Sequence, residues 1–274
     1  MHSTESQYRE NQPVAIVTGG GSGIGAAIAS MLTRQGWSVV ICGRRSSTLK
    51  RIAETTGAHA VVADITNPDG VSHLVDYALE QFGKLDGLVL NAGVIRPGLV
   101  GELSDQDWAA MIETNLTAPF KLLRAALPHL VESKGSVIGI ASVSALQASG
   151  GIAGYNASKA GLSMLLRSVA IDYGPQGVRA NVVCPGWTRS EMADMEMSEL
   201  GAERGLDKEQ AYKLASCLAP LERPALAEEV ASVASWLLSP AASYMNAAVI
   251  PVDGGLSSVD PGTIAFDRRF SLSP

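Results

Sequence analysis

The sequence predicts an α/β protein in which helices cover both faces of a doubly wound, seven-stranded parallel sheet. Three observations carry that expectation. Short apolar runs rich in Val and Ile alternate with longer segments of helical periodicity, and a glycine-rich turn joins the first such run to the first helix. No stretch richer in Pro, Gly or Ser than an ordinary turn divides the 274 residues into halves. Strands are expected at 15–18, 38–42, 60–63, 88–91, 136–140, 179–183 and 249–252, with helices beginning near Gly23, Ser46, Asn67, Ser104, Gly154 and Ala227. Right-handed crossovers between such strands wind the sheet in both directions, giving three layers. The rhythm breaks between Gly186 and Pro224, a stretch rich in Met, Glu, Ala and Lys with weak helical pattern. An insertion after a strand end lies where open α/β sheets bind ligands, so 186–224 reads as a helical substrate lid, or else as a packed excursion with no gating role. The expected organisation is a flexible N-terminus at 1–12, a single domain at 13–255, and a C-terminal extension at 256–274.

Composition narrows the function classes. A formal charge of -6 and a pI near 5.3 argue against a broad nucleic-acid or phospholipid surface, so neither nucleic acid nor membrane is expected as a partner. Met1 to Gln12 is polar and mixed in charge, unlike a secretory signal, and no apolar run is long enough to span a bilayer. A cytoplasmic location is expected. Cys42, Cys184 and Cys217 are too scattered for a metal cluster or a disulfide framework. Cys42 and Cys184 sit in apolar strands and should be buried, Cys217 partly exposed.

The first expected strand runs into Thr18-Gly19-Gly20-Gly21-Ser22-Gly23-Ile24-Gly25. Glycine lets the backbone turn tightly and approach a ligand, and the helix that follows offers unpaired N–H groups and positive dipole to a pyrophosphate. Strand, glycine turn and amphipathic helix together point to a dinucleotide, with Gly19, Gly21, Ser22, Gly23, Ile24 and Gly25 as contacts. The second strand ends at Cys42-Gly43-Arg44-Arg45. An NAD site usually places a carboxylate here for the ribose hydroxyls; Arg44 and Arg45 instead suit a 2′-phosphate. NADP(H) is therefore preferred, with NAD(H) as the alternative. Asp64, followed by Ile65, ends the third strand, where its carboxylate would accept from an adenine amino group or would equally serve as a turn residue. Asn91-Ala92-Gly93 follows the fourth strand, again where a glycine admits close approach.

Tyr155 and Lys159 stand at i and i+4 on one helical face. A nearby ammonium favours the phenolate, so Tyr155 is expected to have a lowered pKa and to exchange a proton with a substrate oxygen. Ser142 closes the preceding strand and would hydrogen-bond a reacting carbonyl, with Ser144 as competitor. Asn115 lies inside an otherwise helical stretch, where it either bends the helix by local bonding or anchors a water.

These marks, with Pro185-Gly186 and Val252-Asp253-Gly254-Gly255, occur in an order and spacing that resembles the short-chain dehydrogenase/reductase family from about Pro13 to Gly255, the 3-oxoacyl-carrier-protein reductase-like and sugar or polyol dehydrogenase-like members most of all. The resemblance implies a Rossmann fold and a nicotinamide-dependent oxidoreductase that interconverts a small carbonyl substrate and a secondary alcohol. It implies Tyr155 as general acid or base, Lys159 on the nicotinamide ribose, Ser142 orienting substrate at the family's interval of thirteen residues before the tyrosine, and Asn115 holding a relay water. Pro185, Gly186, Thr188 and Ser190 would meet the nicotinamide end. The turn lacks the family's arginine or lysine, Ser22 standing there, and Tyr244-Met245-Asn246 replaces a glycine-containing run before the last strand. A substrate pocket is expected from Ser144, Ile152, Trp187 and Met192, and a homotetramer or homodimer through helices at 104–132 and 154–173. The extension, with Phe266 and Phe270, is expected to cross a neighbouring subunit. Readings of another kind are a sugar or polyol dehydrogenase using NAD(H), and a non-catalytic dinucleotide-binding regulatory protein. No metal is expected.

Overall fold

A computed structural model describes residues 12–267. Its seven strands are β1 (Val14–Thr18), β2 (Ser38–Gly43), β3 (His59–Val62), β4 (Gly87–Leu90), β5 (Ser136–Ile140), β6 (Arg179–Pro185) and β7 (Val249–Val252). They form one parallel sheet in the order β3-β2-β1-β4-β5-β6-β7. The order reverses between β1 and β4, which opens a crevice at the carboxyl ends of those two strands. The expected strands are all present, β3 and β4 each one residue earlier than read from the sequence.

Alternation along the strands builds two cores. Ile16, Val40, Leu88, Val137 and Val182 face α3 (Pro68–Phe82), α5 (Ala118–Ser133) and α6 (Ala153–Tyr173). Their neighbours Val17, Val39, Ile41, Val89 and Val183 face α1 (Gly23–Arg34), α2 (Ser46–Thr56) and α9 (Ala227–Leu238). Every strand residue of β1, β4 and β5 is buried, which is why these runs are apolar rather than alternating, apart from the hydrogen-bonded hydroxyls of Thr18 and Ser136. The helix starts are set by short polar side chains: Asn67 accepts from the Asp69 N–H ahead of Pro68, and Ser104 accepts from the Asp107 N–H at the head of α4 (Asp105–Ile112).

The excursion after β6 contains α7 (Glu191–Arg204) and α8 (Lys208–Ala215) around a small core of Ala193, Met197, Ala211 and Tyr212. Arg189 binds both oxygens of Glu209 and lies over the Tyr212 ring, whose hydroxyl donates to Asp194 at 2.8 Å, while Lys208 donates to the other Asp194 oxygen at 3.0 Å. These bonds tie both helices to the segment that leaves β6. The turn before β7 forms without the family's glycine. Asn246 Oδ1 accepts from the Ala180 N–H at 2.9 Å and its Nδ2 donates to the Ala170 carbonyl, while Ala247 takes the left-handed conformation at φ 57°. Cys42 and Cys184 are buried and Cys217 partly exposed, as expected. Among the described residues no helix is long and apolar enough to cross a membrane, and no three His, Cys, Asp or Glu residues gather as metal ligands. Of the expected terminal segments, 1–11 and 268–274, including Phe270, lie outside the described residues.

Candidate active site

The site grows from the carboxyl end of β1. Thr18 Oγ1 donates to the Val89 carbonyl and accepts from the Asn91 and Ala92 N–H groups at 2.9 and 3.0 Å, so one buried hydroxyl locks the β4 turn onto β1. Asn91 Nδ2 returns a bond to the Thr18 carbonyl at 2.9 Å. The glycine turn fits beneath. Gly19 has φ 66°, and a side chain on Gly25 would collide with the Gly19 carbonyl and lie 2.5 Å from Asn91 Nδ2. Gly93 is pressed the same way, since a Cβ there would be 3.2 Å from Lys159 Nζ and 3.3 Å from Asn115 Oδ1. Gly21, Ser22 and Ile24 complete the turn, and Gly23 opens α1 with Ser190 against it.

At the edge of this cradle Arg44 is exposed and its charge is felt by Asp64. Burial pushes the Asp64 carboxyl up, but the Thr66 N–H and hydroxyl, with Arg44, outweigh it and hold the group below the usual carboxylate range. Both Thr66 bonds go to Oδ1, so Asp64 is a turn former by contact, next to Ile65, which is buried. Arg45 Nη2 meets Ser22 Oγ at 3.2 Å and Glu191 Oε2 at 2.8 Å. A guanidinium from the end of β2 thereby stands at the turn position where the family carries its own cation.

Deeper in, β5 and α6 bring four of the predicted residues together. Asn115 sits in a π-helical turn, Glu113–Thr117, and is fully buried. Such a turn offsets the helix by one residue and is frequent at functional sites. Its amide does not bond locally: Oδ1 accepts from the Val94 N–H at 2.8 Å, and Nδ2 donates to the Val94 carbonyl and to Ser158 Oγ, both at 2.9 Å. The side chain thus fastens the loop after β4 to α6. Lys159 is buried one turn beyond Tyr155 and donates from Nζ to the Ile140 carbonyl at 2.9 Å. Burial pulls its pKa from 10.5 down to about 8, against the opposing pull of Cys184.

Tyr155 differs from the sequence expectation. Burial pushes the phenol up to about 12, although the hydrogen-bonded Ser142 hydroxyl pulls it down, and the charges of Glu196 and Cys184 add to the rise. Lys159 Nζ lies over the ring, 5.6 Å from its centroid, and directs one N–H to the Ile140 carbonyl, while desolvation is the largest cause of the rise. Ser142, in extended conformation, also accepts from the Ser144 N–H at 3.1 Å. Ser144 is turned away: it is buried and its hydroxyl pairs with Ser149 at 3.4 Å. Ser142, then, is the serine on the tyrosine.

The nicotinamide and substrate ends are less uniform. Pro185 ends β6, and Gly186 lies so close to Asp253 that a Cβ would stand 3.0 Å from its Cα. Thr188 is buried with its hydroxyl on the Gly186 carbonyl, and Ser190 caps α7 through the Ala193 N–H. Of the expected pocket, Ile152 caps α6 and its backbone bridges to Gly98, while Met192 is 42% exposed in the first turn of α7. Trp187, partly buried, packs against the small core of α7 and α8, where Met197 is also buried. Three contributors escaped the sequence reading. Thr18 was visible only as part of the turn, and Glu191 and Glu196 only within the Met-, Glu-, Ala- and Lys-rich stretch between Gly186 and Pro224. Glu196 follows Met192 by four residues, the one signal that could have placed it on the same face of α7 as that pocket candidate. It is half-buried and held above the usual carboxylate range by burial and by Glu199. The extension begins beside this region: Gln147 Nε2 donates to the Ser257 carbonyl at 3.1 Å.

The glycine cradle, the helix N-terminus behind it and a buried ammonium with donors to spare fit a dinucleotide laid across the carboxyl ends of the sheet. Comparison with known proteins agrees. A family model described as enoyl-(acyl carrier protein) reductase matches residues 19–257. Protein MoaE of Klebsiella aerogenes is 40% identical over 260 residues, covering 92% of this chain and 98% of its own. Meso-2,3-butanediol dehydrogenase of Serratia marcescens is 34% identical, covering 92% and 97%. The crystal structure of a single-residue variant of actinorhodin polyketide ketoreductase with NADPH superposes with a TM-score of 0.87 at 30% identity, covering 91% of this chain and 99% of that one. The chain belongs to the short-chain dehydrogenase/reductase family and is an NAD(P)-dependent oxidoreductase acting on carbonyl and alcohol groups.

Proposed function

We propose that this protein is an NADP(H)-dependent reductase of a small neutral ketone, working through Tyr155 as proton donor. The observation that carries the reading is Lys159 Nζ stacked 5.6 Å from the Tyr155 ring centroid, with Ser142 beside the phenol, behind a glycine cradle bordered by two arginines. The bound nicotinamide supplies hydride. Ser142 holds the carbonyl oxygen beside the phenol, and a tyrosine whose pKa lies near 12 keeps its proton at neutral pH and is ready to give it to the alkoxide as that charge develops. Lys159 holds positive charge beneath the tyrosine and, with two ammonium protons left after Ile140, has donors for the nicotinamide ribose hydroxyls. Asn115 fixes the Val94 loop against α6 and so sets the floor on which these groups stand. The same phenol, once deprotonated, serves the reverse oxidation.

Arg44 and Arg45 support NADP(H), and the ketoreductase that superposes on this chain was solved with NADPH. The Glu196 carboxyl near Tyr155 disfavours an anionic group beside the reacting carbon, which supports neutral ketones, hydroxyketones and thioesters. A relative named for meso-2,3-butanediol makes vicinal hydroxyketones a reasonable first class. Assembly as a homotetramer or homodimer and gating by 186–224 belong to the same reading. The test is oxidation of NADPH and of NADH against a panel of β-ketoacyl thioesters, sugar ketones, hydroxyketones and simple ketones, and reduction of NADP⁺ and NAD⁺ with the corresponding alcohols. The proposal expects turnover of one class with NADPH well above NADH; faster turnover with NADH would overturn the cofactor assignment, and bound nucleotide with no redox chemistry in either direction would favour a regulatory role.

A further inference from the structure

The two arginines at the end of β2 are not equivalent. Arg44 is exposed and makes no salt bridge among the described residues, although Asp64 feels its charge. Arg45 is held twice, by Ser22 Oγ in the glycine turn and by Glu191 Oε2 at 2.8 Å. Glu191 is the first residue of α7, directly after the cap Ser190, which itself packs on Gly23. A single carboxylate therefore links the lid's first turn to a cation at the rim of the dinucleotide cradle. The pair spans 146 positions of sequence and both side chains are more than half exposed, so water and competing anions reach it.

We infer that Glu191 sets the cofactor selectivity of this site: its carboxylate competes with the 2′-phosphate of NADP(H) for Arg45, so that taking the phosphoryl cofactor releases the lid's first turn. The inference rests on the NADP(H) reading above. An exposed ion pair is a weak contact, whereas a phosphate monoester brings nearly two negative charges and three acceptor oxygens; the phosphate wins Arg45, although the pair must break first. Glu191 also lines a cavity of about 500 Å³ between α1, α2 and the start of the lid, which gives its side chain room to withdraw. NAD(H), without the phosphate, leaves the pair intact and gains nothing from its removal. Because coupling is reciprocal, whatever holds Glu191 on Arg45 weakens NADP(H) by the same factor that NADP(H) weakens the latch.

The experiment measures dissociation constants by calorimetry for NADPH, NADH and 2′,5′-ADP with the full-length wild type, Glu191→Gln, Arg45→Gln, the Glu191→Gln/Arg45→Gln double variant and Arg44→Gln. Exposed ion pairs of this kind correspond to about 1.5- to fivefold in an equilibrium constant. Glu191→Gln should tighten NADPH and 2′,5′-ADP by that factor, leave NADH unchanged, and lose its effect when Arg45 is already glutamine. A merely structural role for Glu191 would move all three ligands together. If the wild type prefers NADPH but Glu191→Gln leaves it unchanged or weakens it, the competition is wrong while the cofactor reading stands. If Glu191→Gln weakens NADH, the carboxylate is a ribose ligand and the inference is reversed. If the wild type shows no preference for NADPH and Arg44→Gln and Arg45→Gln leave its affinity alone, the cofactor reading itself fails.

Discussion

Replacing Lys159 by methionine separates what this residue costs the fold from what it does in the site. Its ammonium is buried with one hydrogen bond, to the Ile140 carbonyl at 2.9 Å, and burial lowers its pKa from 10.5 to about 8. At about 1.36 kcal/mol for each pH unit, that fall makes the charged form about 3 kcal/mol worse in the folded chain than in the unfolded one. Methionine has similar length and no charge, so it removes this penalty but leaves the Ile140 carbonyl without its donor, a loss of about 1–2 kcal/mol. The net expectation at pH 7 is a gain of about 1–2 kcal/mol, or a melting midpoint higher by roughly 2–8 °C for a chain of this size. The sign of the pH dependence follows from the direction of the shift. A base whose folded pKa is depressed binds fewer protons folded than unfolded between about 8 and 10.5, so wild-type stability rises with pH across that window. The variant's advantage is therefore complete below pH 8 and fades as pH approaches 10.5. Urea and thermal unfolding at pH 7 and pH 10, at fixed protein concentration, provide the assay. A variant no more stable than wild type at pH 7, or an advantage that does not shrink at pH 10, would refute the claim that Lys159 is held charged at a loss to the fold.

Gly25→Ala should weaken dinucleotide affinity as well as stability, because its Cβ would collide with the Gly19 carbonyl and crowd Asn91 Nδ2 at 2.5 Å; nucleotide titration of the purified variant checks this, and unchanged affinity would show that the turn has slack. Ala247→Gly, at φ 57°, should raise stability by about 1 kcal/mol by removing left-handed strain, with turnover unchanged, as denaturant unfolding would read.

Much of this architecture was legible in the sequence for an identifiable reason. Strands buried on both faces are mostly apolar, so β1, β4 and β5 announced themselves, and the helix starts at Ser46 and Ala227 were marked by the pattern switching from strand to helical period. Positions fixed by backbone geometry were equally visible, as with the glycine turn and the Tyr155–Lys159 pair. What escaped depends on contacts between distant segments. No local pattern says that Glu191 reaches Arg45, that Asn115 bonds the backbone of Val94, or that Trp187 packs on the core of α7 and α8. Nor does spacing reveal desolvation: Tyr155 and Lys159 at i and i+4 suggested a lowered phenol pKa, whereas desolvation shifts the tyrosine in the opposite direction. The turn at Asn246 shows the remaining gap, since a side-chain amide there does the work for which the family uses glycine.

The most direct test of the proposed chemistry is single-turnover hydride transfer from bound NADPH to a ketone substrate, comparing wild type with Tyr155→Phe. The account predicts that the variant binds NADPH as tightly as wild type but transfers hydride about 10²- to 10⁴-fold more slowly, the range for loss of a positioned proton donor. Transfer at the wild-type rate in the variant would contradict the account and move the proton donor to another group.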